Sequence, residues 1–108
     1  MRFGIGYDTH RFTKGDHVMI GGVRIPHSKG IEAHSDGDVL LHAIIDAILG
    51  ACGLGDIGTH YPDNDDLFKN ADSRQLLKKT NNLIANHKFL VHNIDATIIA
   101  EQPKISPF

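Results

Sequence analysis

Tryptophan is absent from the 108 residues, cysteine occurs once and methionine twice. A lone cysteine has no partner for an internal disulfide, so the fold is not cross-linked and the expected setting is a reducing cytoplasm. No apolar run approaches the ~20 residues that a membrane-spanning helix needs. The opening MRFGIGYDTH also lacks the basic-then-apolar order of a secretory leader. Charge of one sign is missing too: 11 Lys and Arg stand against 13 Asp and Glu, a formal net charge of -2. That balance offers no basic footprint for nucleic acid or an anionic membrane surface. No repeat, linker or low-complexity tract interrupts the chain. What is present is 41% hydrophobic residues, enough for the modest core of one domain over 1–108. Eight histidines accompany them, an abundance that points to metal or proton chemistry.

Periodicity orders the chain. Residues 2–7 read as a short strand whose Gly4 and Gly6 allow close approach to the backbone. Val18–Ile20 and Val23–Ile25 flank Gly21-Gly22, a two-residue connection suited to a primed hairpin turn. Ser35, with Asp38 three residues later, resembles a capping box for a helix from Val39 to Ala51, apolar nearly throughout and stopped by Gly53 and Gly55. A polar loop spans residues 55–70. A second helix from about Asp72 to about His87 turns Leu76, Leu77, Thr80, Leu83, Ile84 and His87 inward. Residues 89–100 then alternate as a strand with Leu90, His92, Ile94, Ala96, Ile98 and Ala100 on one face. The expectation is an α+β domain, helices packed on one face of a sheet. Pro103 and Pro107 resemble a turn into a further element, so the end at Phe108 is an unexpected stopping place.

Three groups of residues carry chemistry. Asp38, His42 and Asp46 form one polar stripe, at i, i+4 and i+8, along an otherwise apolar helix. Buried charge demands a partner. Either Asp38 caps while His42 and Asp46 pair across a turn, or His42 ligates a metal with Asp46 orienting it or touching a substrate. Asp8 and His10, two apart on an extended segment, project together, and with His42 they make three ligands of the kind that leave a catalytic zinc an open fourth position. The bland alternative is a turn-capping Asp8 beside an exposed His10. His34 and Ser35 precede a helix N-terminus, a natural anion seat, unless Ser35 is merely a cap. Asp56, Ile57 and Gly58, with Tyr61, Pro62, Asp63, Asn64, Asp65 and Asp66, form an acidic loop, which is either solvated turn chemistry or a set of carboxylates that grip polyol hydroxyls.

Several stretches together carry a resemblance. They are Gly6–His10, Ile20–Pro26, Ala33–Val39 with His42, Ala47 with Leu49–Ala51, Leu54–Gly58, Pro62-Asp63, Ala71–Arg74, Asn93–Ala100 and Pro103-Lys104. On them the chain resembles the 2-C-methyl-D-erythritol 2,4-cyclodiphosphate synthases of the non-mevalonate isoprenoid pathway, along its whole length from Met1 to Phe108. The resemblance implies a mixed β-sheet with helices on one face, in a homotrimer whose active sites lie between subunits. It places zinc on Asp8, His10 and His42, and phosphate on His34 and Ser35, with His34 aiding the transition state. The methylerythritol portion falls to Asp56, Ile57 and Gly58 and to Tyr61 through Asp65, with Asp46 nearby. Cytidine falls to Ala100, Glu101, Gln102, Pro103, Lys104, Ile105 and Ser106. Members of that family run on for roughly fifty residues past Phe108, a large difference for a one-domain chain. The expectation is therefore that 1–108 is C-terminally incomplete, lacking a Thr-Thr-x-Glu stretch whose Glu binds a second divalent cation, Mg2+ or Mn2+.

The implied reaction converts 4-diphosphocytidyl-2-C-methyl-D-erythritol 2-phosphate into the cyclic diphosphate and CMP, by a phosphoryl transfer that needs positioning and charge neutralisation more than a nucleophilic side chain. Cys52, on an apolar helix, fits a core role. Two readings compete with it. One is a metal-dependent phosphohydrolase with Asp46 or Asp63 as the base on a water; the other is a metal-binding fragment without turnover.

Overall fold

The anticipated hairpin forms around a turn that only glycine accepts readily. In the computed structural model, which describes residues 1–108, Gly21 and Gly22 take φ of 63° and 78°, the double positive pair of a type I′ connection. Strands β2 (His17–Ile20) and β3 (Val23–Pro26) pair antiparallel across it, Ile20 opposite Val23. A second short ladder joins β1 (Phe12–Thr13) to β4 (Gly30–Ile31). Val18, Ile20 and Ile25 point inward and pack with Ile31, Leu40, Ile98 and Ile105.

Helix α1 runs from Val39 to Ala51, as its apolar run predicts. Its N-cap is Asp38 rather than Ser35. The Asp38 carboxylate accepts from Leu41 N–H at 3.0 Å, and also from Gly21 N–H at 2.9 Å and Gly22 N–H at 2.7 Å. The expected capping box is therefore displaced by one that caps the helix and the hairpin turn with the same fully buried group. Gly53, at φ 67°, ends the helix; Leu54 N–H reaches back to Leu49 C=O at 2.9 Å.

Within the expected polar loop lie a one-turn helix, α2 (Ile57–His60), and a 3-10 turn at Asp66–Phe68. Helix α3 (Ser73–Asn86) begins at the N-cap Asp72, whose carboxyl is held below the ordinary carboxylate range by its hydrogen bonds from Arg74. Ile45, Leu49 and Leu76 form the core between α1 and α3, with Leu54, Tyr61 and Phe68 around them. His87 does not face inward as its spacing predicts. It sits exposed at the C-cap, with Nδ1 against Leu83 C=O, because α3 buries only the stripe Ser73, Leu76, Thr80 and Ile84.

The α+β class stands, but both ladders are two-stranded and antiparallel, so no mixed sheet forms from these residues. Residues 2–7 and 89–100, expected as strands, carry no ladder. Alternation supplies a face, but a strand also needs a backbone partner, and neither segment finds one. Instead they line a groove of about 1250 Å³ along the outer side of α1, and Leu90, Ile94 and Ile99 remain exposed. Residues 4 and 6 press onto that helix. A Cβ at Gly4 would lie 1.8 Å from Ala47 O, and one at Gly6 would lie 1.7 Å from Ala43 O.

Asp38→Ala strips three backbone N–H groups of a charged acceptor, and the expected loss in urea-unfolding free energy is about 3 kcal/mol. A midpoint equal to that of the parent chain would show that the carboxylate does not hold helix and hairpin together.

Candidate metal centre and its cavity

Two elements bring the centre together. Asp8 and His10 lie on the N-terminal segment that runs along α1, and His42 projects from the first turn of α1 itself. Asp8 Oδ2 lies 2.9 Å from His10 Nε2 and 3.2 Å from His42 Nδ1, and the two nitrogens are 3.3 Å apart. Four-coordinate zinc with ligands at ~2.0–2.1 Å separates those ligands by about 3.3 Å, so the donor triangle fits a small tetrahedral ion. These three residues are the one group of His, Cys, Asp or Glu side chains with metal-binding spacing.

The outer nitrogens are engaged as well. His10 Nδ1 lies 3.2 Å from Glu32 C=O, which takes the ring proton and leaves Nε2 as a lone pair. His42 Nε2 lies 2.8 Å from Ser73 Oγ and 3.1 Å from Ser35 Oγ. Both imidazoles thus have the outer hydrogen bonds that fix ring orientation at metal sites.

The triangle forms part of the wall of a cavity of about 350 Å³. His34 and Ser35 line it, as do Ile57, Gly58, Tyr61 and Asp63, with Phe68 and Leu76 supplying apolar surface. His34 Nε2 donates to Asp65 C=O at 2.9 Å. Tyr61 lines the cavity; its hydroxyl donates to Leu76 C=O at 3.2 Å and lies 3.0 Å from Thr80 Oγ1.

Other candidate residues lie elsewhere. Asp46 neither pairs with His42 nor lines the cavity; its carboxylate accepts from Ile57 N–H at 2.7 Å and so sets the position of the α2 loop. Asp56 is the exposed N-cap of α2, and the hydroxyl and N–H of Thr59 hold its carboxyl below the usual range. Pro62, Asn64 and Asp65 are not cavity-lining side chains. None of Ala100 to Ser106 lines it either; Ile105 packs on the hairpin cluster instead. At the α1 N-terminus expected to seat an anion, the Asp38 carboxylate already accepts from Leu41 N–H.

Sequence reasoning missed Ser73 and Asp36. Ser73 is fully buried and touches His42, while Asp36 receives the Ser73 hydroxyl at 2.5 Å and the Ser73 N–H at 2.9 Å. A signal existed: Ser73 heads the inward stripe that continues through Leu76 and Thr80, and a hydroxyl there requires a polar partner.

The model of the YgbB family matches residues 1–108. Over 107 residues the chain is 60% identical to the 2-C-methyl-D-erythritol 2,4-cyclodiphosphate synthase of Ectopseudomonas mendocina, covering 99% of this chain and 68% of that protein. Among solved structures, the Plasmodium vivax 2C-methyl-D-erythritol 2,4-cyclodiphosphate synthase superposes with a TM-score of 0.77 at 32% identity, over 98% of this chain and 65% of that one. A 2C-methyl-D-erythritol-2,4-cyclodiphosphate synthase in its CDP-bound form gives 0.73 at 40% identity, over 81% of this chain and 58% of that one.

Dialysis of the chelator-stripped chain against a divalent ion such as zinc should leave about one ion per chain. His42→Ala should remove most of it and His87→Ala none. Equal metal content in the two variants would refute the ligand assignment.

Proposed function

The chain belongs to the YgbB family, and from that premise we propose that it catalyses the closure of 2-C-methyl-D-erythritol 2,4-cyclodiphosphate. The substrate would be 4-diphosphocytidyl-2-C-methyl-D-erythritol 2-phosphate, and the leaving group CMP. The observation that carries this reading is the convergence of Asp8, His10 and His42, within 3.3 Å of one another, on the wall of a cavity that also holds His34, Ser35 and Asp63.

In the proposed reaction an oxygen of the 2-phosphate attacks the β-phosphorus. The bond from that phosphorus to the oxygen bridging the α-phosphate breaks, and CMP departs with that oxygen. Zinc held by Asp8, His10 and His42 would supply Lewis-acid neutralisation of phosphoryl charge. The remaining work belongs to the chain. Ser35 Oγ offers a hydroxyl donor to a phosphate oxygen. His34 is tied through Nε2 to Asp65 C=O, so its Nδ1 donates to a phosphate oxygen only in the imidazolium form, whose charge would offset that developing in the transition state. Asp63 accepts from a polyol hydroxyl, while Ile57, Gly58 and the Tyr61 ring form the wall against which the methylerythritol folds. Asp46 and Asp56 act one step removed, by holding that wall in place. Bringing the two ends of a flexible polyol together turns the reaction into an orientation problem, where effective molarity supplies much of the rate.

Ala100 to Ser106 are assigned to the nucleotide. Since they do not line their own chain's cavity, we assign them to the cavity of a neighbouring copy, in a homotrimer with shared sites. No ligand for a second divalent cation, Mg2+ or Mn2+, is assigned within residues 1–108. No helix is long and apolar enough to cross a membrane, and we place the enzyme in the cytoplasm.

Hydrolysis is the competing use of such a centre. It needs a base on water, and of the two candidates Asp46 is committed to Ile57 N–H whereas Asp63 faces the cavity. The two reactions separate in ¹⁸O-labelled water. Cyclisation releases CMP and a cyclic diphosphate, both unlabelled, and it stops with chelator and resumes with added divalent metal. Label in a linear phosphate product, with no cyclic diphosphate, would overturn the proposal.

A further inference from the structure

Ser73 has one hydroxyl proton, and the structure shows where it goes. Asp36 is a carboxylate that only accepts; its Oδ1 lies 2.5 Å from Ser73 Oγ, and Ser73 N–H and Asp38 N–H complete its contacts at 2.9 and 3.1 Å. The hydroxyl proton is therefore spent on Asp36. Toward His42, Ser73 Oγ can present only a lone pair, and His42 Nε2 lies 2.8 Å away. Ser73 is fully buried, so water does not compete for that contact.

We infer that Ser73, oriented by Asp36, is a positioning residue that fixes the tautomer of His42. A neutral imidazole has one N–H. With Ser73 Oγ as an obligate acceptor, that proton sits on Nε2, and the Nδ1 lone pair faces Asp8 and His10. The opposite tautomer sets two lone pairs against each other at Ser73 and puts an N–H inside the donor triangle. The inference rests on the metal-site reading of Asp8, His10 and His42.

The two serines that approach His42 Nε2 thus differ in role. Ser35 Oγ lies farther from it, at 3.1 Å, and takes only a long 3.4 Å contact from Gly37 N–H. It is partly exposed and lines the cavity, so its own proton stays available to a ligand.

The test uses the full 108-residue chain, stripped by chelator. Zinc affinity is measured by competition with a chromophoric chelator, and site geometry by the visible absorption of bound cobalt(II). Ser73→Ala should weaken zinc binding about 10- to 100-fold and shift the cobalt bands, while the metal-free variant still unfolds cooperatively. Asp36→Asn should also weaken zinc binding, because it removes the charge that holds the Ser73 proton. Ser35→Ala should leave zinc affinity near that of the parent chain. Unchanged zinc affinity in Ser73→Ala, beside a parent chain that binds one zinc, would overturn the role of Ser73. So would loss of cooperative unfolding in both Ser73→Ala and Asp36→Asn, which would make the pair part of the fold alone. A parent chain that binds no zinc would instead remove the metal-site reading beneath the inference.

Discussion

Two carboxylates separated by a single glycine organise most of this molecule, and neither lines the cavity. Asp38 gathers the N–H groups of Gly21, Gly22 and Leu41, so the hairpin turn and the start of α1 share one acceptor. Asp36 gathers the N–H and hydroxyl of Ser73, and so fixes the start of α3 to the same short segment. A buried carboxylate is tolerable only when its lone pairs are filled, and those of Asp38 are filled from both the hairpin turn and α1. The turn Gly21-Gly22 supplies donors that a hairpin ordinarily leaves to solvent. The architecture therefore turns on residues 36–38, with His34 and Ser35 just before them and His42 one turn beyond.

That arrangement explains what could be read in the chain and what could not. The span of α1 was legible because thirteen consecutive residues are almost all apolar and a glycine follows at the right place. The hairpin was legible because a Gly-Gly pair between alternating segments admits few conformations. The donor triangle was legible in part: Asp8 and His10 share a side of an extended segment, and His42 stands alone on an apolar helix. What stayed hidden was long-range. The choice of Asp38 over Ser35 as the cap depends on a turn sixteen residues away in sequence, and the role of Ser73 on a carboxylate thirty-seven residues away. Spacing rules describe neighbours along one element, and these bonds cross between elements.

The strands expected at 2–7 and 89–100 failed for a related reason. Alternation describes how a segment divides its side chains between two faces, but pairing is a property of two segments. Both lie along α1 with their backbone groups unladdered. The polar stripe on α1 also resolved differently at each position: Asp38 caps, His42 enters the donor triangle, and Asp46 anchors the α2 loop. Identical spacing carried three separate functions, because each turn of the helix faces a different neighbour.

The contact of Gly6 with Ala43 also sets a mechanical tolerance. A Cβ at residue 6 lies 1.7 Å from a carbonyl oxygen, where side-chain carbons keep at least 3.0 Å, so relief of the clash demands movement of about 1.3 Å. Metal-ligand distances tolerate only about 0.2 Å. Asp8 is two residues further along the same strip of chain, which acts as a short lever with its fulcrum on α1. The allowable error at the fulcrum is thus several times smaller than one methyl group, and the mutational footprint of the centre reaches back to glycines that carry no chemistry of their own.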